Sequence, residues 1–210
     1  DELPAGARGK GFLNRTSTPL PRRYIGNAYV YHGDEASLLV RKAHGSEFDV
    51  TDPVYRQAAD AGLDDVATMQ LIDINTWLPG DILVKADRMA MAHGLELRTP
   101  FLDREVLAVA ARLARVEKTA AGTTKFALRE AIGELLPQAA AERAKLGFPV
   151  PLGHWLRGGM YGFAEQVVRT AQTGQWLDKN AALDILRRFR SDDPEVTWRQ
   201  VWLLVVFSLW

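Results

Sequence analysis

Between Asp81 and Asp103 the chain reads DILVKADRMAMAHGLELRTPFLD, which sets Asp81, Lys85, Asp87, Arg88, Glu96 and Arg98 in an otherwise apolar stretch. Charges enter a core cheaply only when each finds a partner or a ligand, so this density of opposed charge predicts a buried ionic network. Two lysines further on could do chemistry of a different kind. Lys125 is predicted in the first turn of a helix, where the macrodipole disfavours a cation. An anion docked there, phosphate above all, would use the ammonium group and the free amide protons together. The bland reading is a lysine that swings into solvent. Lys145 stands in Arg143-Ala-Lys145-Leu-Gly147-Phe148-Pro149-Val-Pro151, a loop whose glycine and prolines restrict the backbone and permit close approach of a ligand. It too has a bland reading, an exposed loop lysine with Phe148 packed beneath it.

The elements that must position these groups are mostly helical. The first thirty residues, rich in Gly, Pro and Arg, read as an irregular connection that begins within a longer protein. Asp34 is placed to cap a short helix bearing Leu38 and Leu39. From Asp65, the positions Val66, Met69, Ile72, Asp73 and Thr76 advance by three or four until Leu78-Pro79-Gly80 breaks the pattern. Asp81 is then a predicted N-cap, with Lys85 and Arg88 one and two turns above it and Asp87 on another side. Gly94 suits a left-handed helix end, Leu95 to Leu97 an extended run, and Asp103 the cap of a helix striped by Val106, Leu107, Ala110 and Leu113.

Thr124 is a predicted cap for a helix from Lys125 to Leu136, ended by Pro137. A loop from Arg143 to Pro151 follows, then helix from Trp155 to Val168. Asp178 or Asn180 is placed to cap a helix through Phe189, and SDDPEV leads to a terminal helix with Trp198, Val201, Trp202, Val205 and Leu209 at helical spacing. Ending on Trp210 without a polar tail reads as a truncation. Few strands are expected, and no repeat or low-complexity segment is visible. The expected division is 1–64, irregular connection and short helices, and 65–210, helical core.

Composition narrows the function. At 210 residues and 47% hydrophobic content the chain is long enough for a substantial core. Its 26 basic and 26 acidic residues cancel, which argues against nucleic acid or a membrane surface as the main partner. The run Arg187-Arg188-Phe189-Arg190 reads as a solvated helix face. With no cysteine there is no disulfide and no thiolate metal site, which fits a cytoplasmic protein. The run from Val201 to Phe207 is well short of the roughly 20 residues of a membrane helix. His32, His44, His93 and His154 lack metal-ligand spacing, so no metal site is expected here. The six tryptophans read as core anchors.

The stretch ending in Arg98-Thr-Pro100-Phe101-Leu102-Asp103, together with the Arg143 to Pro151 loop, resembles the synthetase half of the glutamine-hydrolysing asparagine synthetases. These enzymes activate a carboxylate with ATP and then amidate it. The resemblance implies that Lys145 and Lys125, the latter in Thr-Lys-Phe-Ala-Leu-Arg, are the two catalytic lysines near the phosphates. There a cation opposes charge moving onto phosphate oxygens in a partly dry site. It further implies that Asp81, Lys85, Glu96, Arg98, Arg143 and Gly147 line or shape the substrate pocket; for Asp103, Asp87 and Arg98 the architectural role is favoured.

The fold implied is mostly α, the helical carboxy-terminal portion of an α/β ATP-pyrophosphatase-type (adenine nucleotide α-hydrolase-like) synthetase domain. The family's amino-terminal cysteine nucleophile, its Ser-Gly-Gly-x-Asp-Ser loop and its Gly-Glu-Gly-x-Asp-Glu segment are not found in this sequence. The resemblance therefore places the ligands of Mg2+ upstream. It makes ATP, aspartate and ammonia from glutamine the substrates, upstream glutaminase and nucleotide-binding regions the partners, and allows a homodimer. The fragment is expected to be inactive alone. The alternatives are a β-lactam synthetase-like or peptide-modifying amidotransferase relative, and, from another class, a non-catalytic helical binding module.

Overall fold

Apolar residues three and four apart dominate the chain, and they fold as helices. The structure, a computed structural model, describes residues 18–26, 29–31, 33–41, 45, 48–120, 122–141, 143, 147 and 150–210. In chain order the helices among them are α1 (Leu20–Arg23), α2 (Gly33–Leu39), α3 (Asp52–Asp60), α4 (Asp65–Asn75), α5 (Val84–Met91), α6 (Arg104–Arg112) and α7 (Arg115–Lys118). There follow α8 (Phe126–Ile132), α9 (Gln138–Ala141), α10 (Leu152–Arg157), α11 (Tyr161–Thr170), α12 (Lys179–Arg190) and α13 (Trp198–Leu209). Short π and 3-10 turns at Leu78–Leu83, Pro100–Leu102 and Gly133–Leu135 complete the set. Among the described residues the only extended pairing is an isolated antiparallel bridge between Val40 and Leu177. The chain divides into two units, Asp1–Asn27 with Val50–Leu146, and Ala28–Asp49 with Gly147–Trp210.

The second unit has a continuous apolar core. Ala182, Leu186 and Phe189 form the buried stripe of α12, Tyr161, Ala164 and Val168 that of α11, and Val201, Leu204 and Val205 that of α13. Of the stripe expected on the last helix, Val201 and Val205 are buried, whereas Trp198 and Leu209 are exposed. The buried face is set by what packs on it, and Leu204 takes the place spacing gave to its neighbours.

Capping fixes where these helices start. Asp178, of the two candidates, accepts hydrogen bonds from the amides of Asn180 and Ala181. The Ala181 amide, then that of Asn180 and the Arg41 guanidinium, outweigh partial burial and hold its carboxyl below the usual carboxylate range. At α13 the Thr197 hydroxyl accepts from the Gln200 amide while the Gln200 side chain accepts from the Thr197 amide, a reciprocal box that closes two free donors. The bridge segment adds Arg41 N–H to Trp176 O and Asp178 N–H to Leu39 O, each 2.8 Å, which ties α2 to the start of α12.

The first unit is built differently. Its α3 and α4 pack together with Ala58 and Ile72 buried, and Tyr55 donates between the carbonyls of Leu20 (3.2 Å) and Tyr24 (2.7 Å). Burial, chiefly, pushes the Tyr55 phenol up to about 12. Leu78-Pro79-Gly80 does not end the helical path as expected. The chain turns through Leu78–Leu83 and resumes as α5, because Pro79 lies at the first positions of the turn, where an amide proton is not required. Asp81 is consequently inside that turn and is not an N-cap.

Gly94 ends α5 at φ +67°, with Gly94 N–H donating to Met91 O and Leu95 N–H to Ala90 O, the paired bonds of a Schellman motif. Asp103 caps α6 by accepting from the Glu105 amide at 2.8 Å. Val106, Leu107 and Val109 of α6 are nevertheless exposed, and α6 buries no residue.

Candidate active site

Lys125 stands one residue before α8, at its N-cap position, with φ 59° and ψ 36°. The expectation of Thr124 as cap and Lys125 within the first turn is thereby corrected: the left-handed residue turns the chain, and the helix starts at Phe126. A left-handed conformation costs a residue with a Cβ about 1–2 kcal/mol, so it persists only where neighbours impose it. Here Arg129 brackets the residue. Its backbone N–H donates to Lys125 O at 3.0 Å and its Nε to Thr124 O at 3.2 Å. The Thr123 hydroxyl also donates to Thr124 O, at 3.3 Å. The Lys125 side chain is exposed.

Arg129 reaches a second segment. Its Nη2 donates to the carbonyl of Arg143 at 3.2 Å, so one half-buried guanidinium joins the turn that carries Lys125 to the start of the loop that carries Lys145. Lys145 itself, with Leu146, Phe148 and Pro149, lies outside the described residues. Among the described residues nothing stands within 4 Å of where a Cβ on Gly147 would lie.

The predicted ionic network resolves into two separate pairs. Lys85 Nζ lies 3.1 Å from Asp81 on successive turns, and Arg98 Nη2 lies 2.7 Å from Glu96. Burial is the part that fails: the Glu96 and Arg98 side chains are 71% and 81% exposed, and Lys85 is exposed as well. Water solvates these charges, and each pair at such a surface contributes about 1 kcal/mol or less. The spacing of Asp81 and Lys85 was legible in the sequence. The contacts of Arg129 were not, although its position four residues after Lys125 is a signal, since helical side chains lean back over the preceding turn.

Elsewhere, the second unit holds an open apolar cavity of about 930 Å³, lined by Tyr31, Leu39, Trp176, Leu203 and Phe207 among others, without a charged side chain. Among the described residues its lining offers hydroxyl and amide groups and no cation to a phosphate. Among the described residues no three His, Asp or Glu side chains come together as a metal site, and no helix is long and apolar enough to cross a membrane. Arg187 and Arg188 of the basic run pair with Asp184 and Asp193 respectively.

One arginine ties the left-handed Lys125 turn to the backbone at Arg143, and the sequence relationships say which family this chain belongs to. The profile of the asparagine synthase family matches residues 7–210. This chain belongs to that family. It is 45% identical over 211 residues to a provisionally named asparagine synthetase (glutamine-hydrolyzing) of Mycobacterium tuberculosis, covering 99% of this chain and 32% of the relative. A Mycobacterium bovis protein of the same name matches equally. Asparagine synthetase (glutamine-hydrolyzing) 1 of Bacillus subtilis is 39% identical over 210 residues, covering 99% of this chain and 33% of that protein. The chain thus spans about a third of the length of the curated relatives it matches. No solved structure matches it.

Proposed function

We propose that this chain is the helical carboxy-terminal part of the synthetase domain of a glutamine-dependent asparagine synthetase, and that it works only within the longer polypeptide. The reaction would adenylate aspartate. A side-chain carboxylate oxygen attacks the α-phosphorus of ATP and pyrophosphate leaves; ammonia from glutamine then attacks the acyl carbon and AMP leaves. Both departures place negative charge on phosphate oxygens. Lys125 and Lys145 would oppose that charge from positions fixed before the reaction, which is where preorganised cations lower a barrier. Asp81, Lys85, Glu96, Arg98, Arg143 and Gly147 would shape the pocket.

The observation that carries this reading is the left-handed Lys125, held by an Arg129 that also bonds the Arg143 carbonyl, in a chain of this family. The described carboxylates do not converge as a metal site, and magnesium would be held by residues elsewhere in the polypeptide. The exposed apolar residues of α6 support a further part of the reading, that an α/β ATP-pyrophosphatase-type sheet from the rest of the protein packs on these helices. A cytoplasmic location accords with a chain free of cysteine.

In the full-length enzyme, Lys145→Ala is expected to slow pyrophosphate release by about a hundredfold or more while glutamate release from glutamine is kept, because only the first reaction develops charge on phosphate. Lys145→Arg should rescue poorly, a planar fork being no substitute for a compact ammonium. Pyrophosphate and glutamate release, measured side by side for both variants, decide it. Undiminished pyrophosphate release by Lys145→Ala would make this lysine a bystander.

A further inference from the structure

Resting on the reading above, we propose that Arg129 is a positioning residue for the adenylating step: one guanidinium sets the backbone of Lys125 and ties that turn to the backbone at Arg143. Lys125 follows the peptide it shares with Thr124. Its carbonyl, that of Thr124, accepts from Arg129 Nε at 3.2 Å, and the next carbonyl, that of Lys125, accepts from the Arg129 backbone N–H at 3.0 Å. Two consecutive carbonyls around the left-handed residue are therefore oriented by the same arginine, one through its side chain and one through the helix it belongs to. The strained turn has a cause within the chain, and the cause lies one helical turn beyond the lysine.

The other arm of the fork completes the device. Nη2 donates to Arg143 O at 3.2 Å, fourteen residues further along and two residues before Lys145 in sequence. A guanidinium is planar and its donors diverge at fixed angles, so satisfying Thr124 O and Arg143 O together sets the separation of the two segments. A lysine side chain at position 129 carries its three donors on one rotating nitrogen and would not fix the angle and spacing between the two carbonyls. Arg129 touches no reacting atom; it acts through Lys125, and misplacing a charge by about 1 Å near a reacting centre can cost on the order of a hundredfold.

The test uses the full-length enzyme and compares Arg129→Gln, Arg129→Lys, Lys125→Ala and the double variant Arg129→Gln with Lys125→Ala. Expected is a fall of about tenfold to a hundredfold in the rate of pyrophosphate release for Arg129→Gln, a smaller fall for Arg129→Lys, and glutamate release from glutamine unchanged in both. Residues acting as a unit are not additive, so the Arg129 change should cost less than about twofold once Lys125 is alanine. A merely structural arginine would instead lower the melting temperature and slow the double variant by the product of the two single effects; that pattern overturns the proposal. If Arg129→Gln does not fold, full pyrophosphate release by the folded Arg129→Lys overturns it equally. A slow Lys125→Ala beside a fully active Arg129→Gln removes the clamp and leaves the lysine's role standing, whereas full activity of Lys125→Ala removes the residue through which Arg129 is said to act and defeats both.

Discussion

Helices α6 and α12 are strongly amphipathic by sequence, and both begin at an aspartate that caps the first turn. Only α12 buries its stripe: Ala182, Leu186 and Phe189 are within the core of the second unit, while Val106, Leu107 and Val109 of α6 remain exposed in the first. Amphipathicity states that a face is to be covered; it does not state by what. In the second unit neighbouring helices of the same chain supply the cover. In the first, Ile82, Val84, Met89, Met91, Leu95, Leu97, Phe101 and Leu102 are exposed alongside charged residues of the family's signature stretch. A region proposed to face a nucleotide and the rest of an enzyme carries surface that its own helices do not bury.

The largest effect that could break this comparison comes from matched truncations. Phe189→Ala removes a side chain 1% exposed, over which the Arg157 guanidinium lies at 4.3 Å from the ring centre. It is expected to cost about 3–5 kcal/mol. Leu107→Ala on α6, measured in this same chain, should stay within about 0.5 kcal/mol. Urea unfolding of both variants is the measurement. Equal losses would mean that α6 is as well covered as α12 and that the contrast is unfounded.

This contrast also explains what was legible in the sequence. The helix starts at Asp103 and Asp178, and the end at Gly94, were readable because capping is local: the donor, the acceptor and the required backbone geometry lie within a few residues. The turn through Pro79 was misread because a wide turn followed by resumed helix has the same local composition as a break. The charges between Asp81 and Arg98 were expected in a buried network, but burial depends on surfaces distant in sequence. Pairing of Asp81 with Lys85, set by helical spacing, was visible. The bond from Arg129 to Arg143 spans the end of α8, a 3-10 turn and α9, and no periodicity encodes it.

A mid-sized effect tests whether the first unit holds real strain at its candidate site. At φ 59°, Lys125 meets the steric cost of a Cβ, which glycine avoids. Both Lys125→Gly and Lys125→Ala remove the ammonium group, so their difference isolates the backbone. The glycine variant is expected to be the more stable by about 1 kcal/mol, read from paired denaturant melts. An alanine variant as stable as the glycine one would show that this turn relaxes to an ordinary conformation, and that Arg129 has nothing strained to hold.

The smallest effect is the most discriminating about where cover comes from. Glu96 and Arg98 form a 2.7 Å pair, yet both side chains stand largely in water. Removing one partner of a buried pair strands a charge and costs about 3–5 kcal/mol, whereas an exposed pair costs about 1 kcal/mol or less. In this chain, Glu96→Ala should therefore shift stability by less than about 1 kcal/mol, and added salt should shrink even that difference by screening the pair. In the full-length enzyme the same substitution distinguishes two environments. A drop of several kcal/mol would mean that the rest of the proposed enzyme closes over this pair and makes it the buried interaction expected from the sequence. An unchanged melting temperature with lost pyrophosphate release would place Glu96 at the substrate, solvated until the substrate arrives. A large loss in the chain alone is the result that contradicts the geometry, because nothing described in the first unit shields either charge from water.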